Sequence, residues 1–294
     1  MNNSTSLKIL SSNVNTCRDA KTRAGILDYL ARHKPDIWLL QEVNVQTEEL
    51  QALVETEGYN ASCNIDIENE NSRGTAFIWK NDIELTNILI FEECRIHFAQ
   101  VGRLNLLNIY APSGQENRTA RREFFGQTLF QLYRSFMPNL PLCGGDFNSI
   151  LFNIDARNNP NQKKSEDLRN LVQGFNLSDA FRIFYPNRVE YTFHRAESAS
   201  RLDRFYVPQF MLPYLQTVQH LPQPYSDHCT VESVLIVPDL QRLKICRPPR
   251  FSYWKFNTEN LDEDFEENFA FIYEKARESL HEFLDIADWW DLNQ

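Results

Sequence analysis

The sequence lacks several motifs that would each indicate a common kind of active site. It contains no Gly-x-Ser-x-Gly nucleophile elbow and no Gly-x-x-x-x-Gly-Lys phosphate loop, so neither α/β-hydrolase nor P-loop chemistry is indicated. Its six cysteines are scattered, without a Cys-x-x-Cys pair, and several lie in apolar segments. This pattern predicts reduced, buried thiols without zinc or disulfides, and an intracellular protein of the nucleus or cytoplasm.

Long apolar runs are also missing. No segment approaches the length that spans a bilayer, so we expect no membrane partner. The first residues, Met-Asn-Asn-Ser-Thr-Ser, lack the charged start and apolar stretch of a secretory signal. Hydrophobic residues nevertheless make up 42% of the 294 positions and aromatic residues 13%, which is typical of a globular chain with a sizeable core.

The sequence has no overall excess of positive charge, since its formal net charge is −10. The acidity is concentrated at one end. Residues 251–294 contain 3 basic and 12 acidic residues, against 27 and 28 in residues 1–250. Because the larger part is nearly neutral, its basic side chains can still gather on one face. The net charge therefore does not exclude DNA as a partner.

Composition divides the chain into three predicted parts. Residues 1–238 alternate between strand-like and helix-like patterns. Residues 239–258 include Pro248-Pro249 and are predicted to be a linker. Residues 259–294 form an acidic segment, in which the apolar positions over 260–286 fall on one stripe of a helix.

The strands of the first part cluster more than a doubly wound sheet requires. Strands 191–194 and 201–207 are expected to be joined by a short polar loop at 195–200. This clustering favours two packed sheets with helices outside. The other predicted elements are strands 7–15, 36–43, 59–65, 74–80, 83–92, 95–101, 104–111, 140–143, 215–221 and 226–237, and helices 21–33, 46–56, 118–136 and 165–174.

The stretch from Pro141 to Ser149, PLCGGDFNS, ends an apolar strand with two glycines. Asp146 and Asn148 follow it two residues apart. In an extended segment, residues two apart point to the same face, so both side chains would reach one spot while Phe147 points into the core. The same stretch is also compatible with an ordinary turn, because Gly-Gly-Asp and Asn-Ser are turn formers.

Polar residues stand at the ends of most predicted strands. Carboxylate and amide oxygens of this kind suit a hard divalent ion, Mg²⁺ with Mn²⁺ as the alternative. Such an ion beside a histidine is what phosphate-ester hydrolysis needs. Two of these polar residues also have a purely structural interpretation: Glu42 could be a solvated residue at a strand end, and Tyr110 could be a core tyrosine. The set is Asn13, Glu42, Tyr110, Asp146, Asn148, Asp203, Asp227 and His228.

Seven blocks between residues 7 and 237 resemble the endonuclease/exonuclease/phosphatase superfamily, in the family's order. Three of them, NIYAP, YTF and RLDRFYV, resemble the endonuclease domains of LINE-type (non-LTR) retrotransposon polyproteins. Residues 249–257 resemble the segment that precedes reverse transcriptase in those polyproteins, so we expect an N-terminal fragment of such a polyprotein or a truncated or domesticated copy. The blocks are Ser12 to Asn15, Leu40 to Glu42, Asn108 to Pro112, Gly145 to Asn148, Tyr191 to Phe193, Arg201 to Arg204 and Ser226 to His228.

The resemblance implies a four-layer α/β sandwich of two packed mixed sheets flanked by helices, with the site at one edge of both sheets. It implies that Glu42 is the principal metal ligand, with Asn13 and Asp227 near it. Asp146 would orient or deprotonate the attacking water, and Asn148 would fix a phosphate oxygen.

The remaining implied roles concern the phosphate. His228 would contact the scissile phosphate, and Asp203 would set its charge and orientation, since a carboxylate partner raises the pKa of a histidine. Tyr110 would donate to the phosphate or to the leaving oxygen, and Thr192 would support the phosphate-binding face.

In retrotransposon endonucleases the loop after Tyr-Thr-Phe reaches into DNA. Here that loop is residues 195–200, so Arg195 and Arg201 are predicted to enter a minor groove. A plain hairpin turn is the alternative for either residue.

Four functions stay open at this point. The main prediction is a metal-dependent endonuclease that nicks target DNA. The alternatives are an abasic-site repair endonuclease, a phosphatase or phosphodiesterase of the same fold, and a catalytically silent binding module.

Overall fold

The structure is a computed structural model that describes residues 4–66, 74–91, 94–158, 164–238, 240 and 242–243. These residues fall within one compact unit, residues 1–245. The predicted helix over 260–286 and the retrotransposon-like segment 249–257 lie outside the described residues.

Fifteen strands occur in the described part of the chain. They are β1 (Ser4–Asn13), β2 (Ile37–Gln41), β3 (Tyr59–Asn64), β4 (Thr75–Lys80), β5 (Leu85–Ile90), β6 (Ile96–Val101), β7 (Leu104–Tyr110), β8 (Leu142–Asp146), β9 (Ala156–Arg157), β10 (Leu177–Asp179), β11 (Phe193–Arg195), β12 (Ser198–Ser200), β13 (Asp203–Pro208), β14 (Leu215–Leu221) and β15 (Thr230–Pro238).

Six α-helices accompany them in the same ranges. A π-helical turn, Phe124–Leu129, joins α3 to α4, and 3₁₀ turns lie at Glu55–Glu57, Asn153–Asp155 and Gln209–Tyr214. The helices are α1 (Ala20–His33), α2 (Thr47–Val54), α3 (Arg118–Glu123), α4 (Phe130–Ser135), α5 (Glu166–Gly174) and α6 (Ala180–Phe184).

Twelve of these strands form two six-stranded sheets. The first has the order β14-β15-β1-β2-β4-β3, the second β10-β13-β8-β7-β6-β5, and a small third sheet has the order β11-β12-β9. The pairs β1–β2 and β7–β8 are parallel, and the other neighbours are antiparallel. Both large sheets are therefore mixed, as predicted.

The two large sheets pack face to face, and helices cover their outer faces. β2 is buried at all five positions, which explains why it reads as a continuous apolar run. Leu39 lies in the core between the sheets, whereas Trp38 and Leu40 pack on the α1 side with Ile26. The outer face of the second sheet packs on Phe125 and its neighbours. The predicted four-layer α/β sandwich is confirmed.

Local chemistry explains where the predicted helices begin and end. Asp19 caps α1 by accepting a hydrogen bond from the Thr22 amide at 2.8 Å, and Lys34 ends it in the left-handed conformation. Ser165 caps α5 in the same way, accepting from the Leu168 amide at 3.2 Å. The predicted helices 21–33 and 165–174 are confirmed within a residue or so.

Two predictions are wrong in detail. The predicted helix 118–136 is interrupted by the π-helical turn. The predicted loop 195–200 is mostly strand: Arg195 ends β11 and lies opposite Ser198, the first residue of β12. β13 belongs to the second large sheet. Strands of three residues are too short for a periodic pattern, and the sequence likewise did not indicate β9, β10 or α6.

The chain remains packed after β15. Leu240 is buried, and its carbonyl accepts from the Thr5 hydroxyl at 2.8 Å. Arg242 forms ion pairs with Asp36 at 3.0 Å and Asp82 at 3.2 Å. The folded part therefore extends beyond the predicted boundary at 238, whereas a linker further along the chain stays a prediction.

Candidate active site

Both parallel strand pairs end at the same edge of the sandwich. Asn13 is paired with Gln41 at the end of β1 and β2, and Tyr110 is paired with Asp146 at the end of β7 and β8. β13 begins at this edge as well, since Asp203 lies opposite Asp146. The topology thus gathers distant polar residues at the carboxyl ends of parallel strands, where ligands commonly bind.

The turn after β8 sets the position of Asp146. Gly145 has φ +147°, and a Cβ there would lie 2.0 Å from the carbonyl oxygen of Ile109, so only glycine lets β8 lie this close to β7. Asn148 has φ +43°, and its amide donates to Oδ1 of Asp146 at 2.8 Å. The predicted extended geometry is therefore wrong: the two side chains converge through an Asx turn. Phe147 is buried, as predicted.

Asn13 joins two carboxylates. Its Nδ2 donates to Oε1 of Glu42 at 2.8 Å and to Oδ2 of Asp146 at 3.0 Å, while its Oδ1 accepts from the Asn15 amide. Glu42 follows β2 with φ +60°, and its amide donates to the Gly74 carbonyl at 2.9 Å. All three side chains are largely buried, so this amide holds two acids of separate strands at one place.

His228 and Asp203 form a buried pair. Nδ1 of His228 lies 2.9 Å from Oδ2 and 3.2 Å from Oδ1 of Asp203. Burial by itself lowers the pKa of His228, but the charge and hydrogen bond of Asp203, with Asp146 and Asp227, outweigh burial and raise that pKa to about 10. His228 is therefore an imidazolium at neutral pH, with Nδ1 directed to Asp203.

The negative charge of Asp146 is only partly stabilised by its neighbours. Burial first, and then the charge of Asp203, raise its pKa to about 7, although His228 and the hydrogen bonds from Asn148 and Asn13 act in the opposite direction. A carboxyl that exchanges its proton near neutrality is suited to general acid–base work. We call Asn13, Glu42, Asp146, Asp203 and His228 the catalytic cluster.

Four members of the catalytic cluster, Asn13, Glu42, Asp146 and His228, border a cavity of about 390 Å³, here the reaction cavity, whereas Asp203 is fully buried. Of the other predicted site residues, Asn148, Asp227 and Arg195 also line it, and the last two are exposed. The reaction cavity therefore has acids on its inner wall and an arginine at its rim.

Tyr110 and Thr192 lie behind this wall. The hydroxyl of Tyr110 is 3.2 Å from Oγ of Ser113, which does line the cavity. Thr192 is fully buried, and its hydroxyl accepts from the amides of Leu202 and Asp203 at 3.0 Å each. Thr192 therefore fixes the backbone of Asp203 and, being buried, does not itself face the cavity, so its predicted role of supporting the phosphate-binding face stays a prediction.

The predicted role of Arg201 is corrected. It is fully buried, and its guanidinium binds Asp155 at 3.0 Å and Asp179 at 2.6 Å, so it does not reach a DNA groove. It belongs to an arginine network, which consists of Asp155, Asp179, Arg182, Arg201 and Arg204. Nη2 of Arg204 also donates to the Arg201 carbonyl at 2.6 Å, and Nη1 donates to the carbonyl of Ser149 at 2.7 Å.

Two sets of potential metal ligands are present among the described residues. Asp146, Asp203 and His228 bring donor atoms within 4.8 Å of one another, but Nδ1 of that histidine is already occupied by Asp203. The predicted ligands were instead Asn13, Glu42 and Asp227. These three residues all line the reaction cavity, and their oxygen atoms are of the type that a hard cation prefers.

Sequence reasoning missed several residues that shape the site. Ser226 and Gln223 donate to the Asn13 carbonyl at 2.8 and 2.9 Å, which fixes the end of β1. Gln115 and Arg121 line the reaction cavity. For Arg121, the available signal was the run of basic residues at the start of the predicted helix 118–136. The hydrogen bonds of Ser226 and Gln223 to Asn13 join residues more than two hundred positions apart, so no local pattern in the sequence indicates them.

No helix among the described residues is both long and apolar enough to cross a membrane.

Comparisons with known proteins agree with this geometry. A transposon TX1 uncharacterized 149 kDa protein of Xenopus laevis is 28% identical over 98% of this chain, which spans 22% of that protein. A 3′ phosphatase from Neisseria, bound to a product DNA hairpin, superimposes with a TM-score of 0.66 at 19% identity. The match covers 77% of this chain and 98% of the phosphatase chain. An AP endonuclease from Archaeoglobus fulgidus also superimposes with a TM-score of 0.66, at 20% identity. That match covers 79% of this chain and 100% of the AP endonuclease chain.

The family comparison covers most of the sandwich. Residues 10–228 match the model of the endonuclease/exonuclease/phosphatase family. This range contains every member of the catalytic cluster and ends on His228. The chain therefore belongs to the endonuclease/exonuclease/phosphatase family.

Proposed function

We propose that the chain is a metal-dependent endonuclease that nicks DNA, of the kind found in non-LTR retrotransposons. The observation that carries the proposal is the catalytic cluster, in which His228, paired with the buried Asp203, and Asp146, a carboxyl with a pKa near 7, border one cavity. The transposon relative, which aligns over 98% of the chain, supports the retrotransposon type.

Phosphodiester hydrolysis assigns a separate task to each of these groups. The imidazolium of His228 donates a hydrogen bond to a non-bridging oxygen and so stabilises the charge that grows there. Asp203 holds the ring in that orientation. Asp146 accepts the proton of the attacking water, which its raised pKa suits at neutral pH. Asn148 is fixed by the carbonyl of Ala111 at 2.9 Å and lines the cavity beside the phosphate.

The residues present fit a hard divalent cation. Glu42 and Asp227 offer carboxylate oxygens at the reaction cavity, and Asn13 holds Glu42 in place. Oxygen donors favour Mg²⁺, with Mn²⁺ as the alternative. When bound, such an ion would neutralise phosphate charge as a Lewis acid.

Plasmid nicking by the whole chain tests the proposal. Supercoiled DNA is incubated with Mg²⁺, Mn²⁺ or EDTA, and the open-circle product is measured. We expect metal-dependent nicking that Glu42→Ala abolishes and that Glu48→Ala, an exposed glutamate of α2, leaves unchanged.

A second substrate set separates the alternatives. Strong cleavage only of an oligonucleotide with an abasic site would replace the proposal with a repair endonuclease. Release of phosphate from small phosphate esters without nicking would indicate a phosphatase. Full nicking by Glu42→Ala protein would remove the assigned mechanism.

A further inference from the structure

A second cavity, of about 500 Å³, opens beside the reaction cavity. The two cavities share Gln115, Arg121 and Asn148. A polymer with one unit in the reaction cavity can therefore continue into the second along the protein surface. We name it the α3–α5 cavity, because residues of both helices line it. Its basic lining residues are Arg118, Arg121, Arg122 and Lys164.

The positive charges of the α3–α5 cavity are only partly neutralised. Glu166 and Asp167 also line it, but the first lies 3.9 Å from Arg169 and the second 3.5 Å from Arg122. No described residue forms an ion pair with Arg118 or with Lys164. Two cationic side chains are therefore left to face a ligand, which the chemistry of the cavity requires to be an anion.

Arg121 marks the boundary between the two cavities. Its Nη1 donates to the carbonyls of Pro112 at 2.6 Å and Gly114 at 3.0 Å, which fixes the loop after β7 at the rim of the reaction cavity. Burial, and then the nearby charge of Arg118, lower the pKa of Arg121. The carboxylates of Asp146 and Glu116 act in the opposite direction, so the start of α3 brings two arginines together beside acids that offset only part of their repulsion.

The lining also indicates which part of a nucleic acid would bind. It consists of charged and polar side chains, and no aromatic ring is among the described residues that line it. Bases of single strands stack on aromatic rings, whereas phosphates are bound by arginine, lysine and hydroxyl groups. The cavity therefore suits a phosphate backbone, without base readout.

We propose that the α3–α5 cavity binds backbone phosphates of the DNA strand that flanks the scissile phosphodiester, with Arg118 and Lys164 as the principal contacts. This proposal rests on the proposed nuclease function, since it places the scissile phosphate in the reaction cavity. It assigns the basic start of α3, which takes no part in the chemistry, to sequence-independent positioning of the strand.

Binding of duplex oligonucleotides in EDTA tests the assignment without cleavage. Fluorescence anisotropy is measured with the whole chain, two duplexes of unrelated sequence and a series of salt concentrations. For Arg118→Gln/Lys164→Gln we expect affinity to fall about tenfold on both duplexes, and the slope of log Kd against log salt to fall by about 1.8, or 0.9 per lost phosphate contact. In nicking assays KM should rise while kcat is unchanged, because neither residue touches the reacting atoms.

A matched control is Arg103→Gln/Arg134→Gln, two exposed arginines, one of them in the turn before β7 at the opposite end of that strand from the site. It should keep the wild-type affinity and slope. The proposal is overturned if the double variant matches this control, or if its loss is confined to one duplex sequence. A wild-type chain that binds DNA but nicks no plasmid would instead remove the proposed function alone.

Discussion

Two clusters of buried charge meet at β13, and they differ in how their charges are balanced. Asp203 belongs to the catalytic cluster, and the next residue, Arg204, belongs to the arginine network. Successive residues of a strand point to opposite faces. One short strand therefore supplies an acid that pairs with His228 and a cation that pairs with the acids of the arginine network.

In the arginine network each acid has an arginine partner. Asp155 lies 2.7 Å from Arg182, 3.0 Å from Arg201 and 3.5 Å from Arg204. Burial alone would raise the pKa of Asp155, but Arg204 and Arg201 outweigh it and hold that pKa well below its usual range. Both acids of the network are thus charged and paired with arginine, and its third arginine, Arg182, is partly exposed.

The catalytic cluster lacks this balance. Asp203 is paired with the single histidine of the cluster, whereas Asp146 accepts hydrogen bonds from the neutral amides of Asn13 and Asn148, and its pKa is raised to about 7. Buried charges that are matched stabilise one structure, whereas a buried acid that is incompletely matched is ready to exchange a proton. The comparison predicts that removing a member affects catalysis in one cluster and stability in the other.

The largest effect is expected from the His–Asp pair. His228→Ala should lower the rate of plasmid nicking by roughly 10²- to 10³-fold, because a positioned donor that stabilises transition-state charge contributes on that scale. Asp203→Asn should come close to it, since the two residues act as a unit. The control is His33→Ala, a histidine in the last turn of α1. Both site variants should keep a cooperative unfolding transition, and a loss of activity that only tracks unfolded protein would contradict the assignment.

Asp155→Asn should act on stability instead. It leaves Arg201 and Arg204 fully buried with one acid fewer, so the free energy of unfolding in urea should fall by about 3–5 kcal/mol. Asp28→Asn, in the exposed pair of α1 with Arg32, should cost no more than about 0.5 kcal/mol. If Asp155→Asn abolished nicking and kept full stability, the distinction between the clusters would fail.

The contribution of Asp155 to the free energy of unfolding should also depend on pH. Its pKa is lower in the folded than in the unfolded protein, so its contribution is present above about pH 4 and is lost as pH falls. The stability difference between wild type and Asp155→Asn should therefore shrink below pH 4, by up to about 1.4 kcal/mol per pH unit. Burial lowers the pKa of His97 to about 3, so His97 also makes stability depend on pH. That contribution is the same in wild type and Asp155→Asn and drops out of the difference between them. A pH-independent difference in urea titrations would show that charge pairing is not its cause.

The same contrast explains what the sequence could predict. Strand ends with polar residues are a local signal, so the site residues at the ends of β1, β2, β7 and β8 were found. The partners of Arg201 lie 46 and 22 residues away, and nothing local distinguishes a buried arginine from a DNA-reading one. The turn at Asn148 was missed for a related reason: Asp-Phe-Asn fits both an extended segment and an Asx turn, and the left-handed φ of Asn148 decides between them.

The smallest effect on stability is expected at Arg195, which shares the predicted DNA-reading stretch with Arg201 but is exposed at the rim of the reaction cavity. Arg195→Gln should change the free energy of unfolding by less than about 0.5 kcal/mol, because no buried acid depends on it, whereas Arg201→Gln should cost several times more. If Arg195 inserts into a minor groove, its loss should redistribute nick positions mapped by sequencing, and Arg188→Gln, an exposed arginine paired with Glu190, should leave them in place. An unchanged map would show that the β11–β12 hairpin has no part in choosing the target, so that neither arginine of this stretch reads DNA.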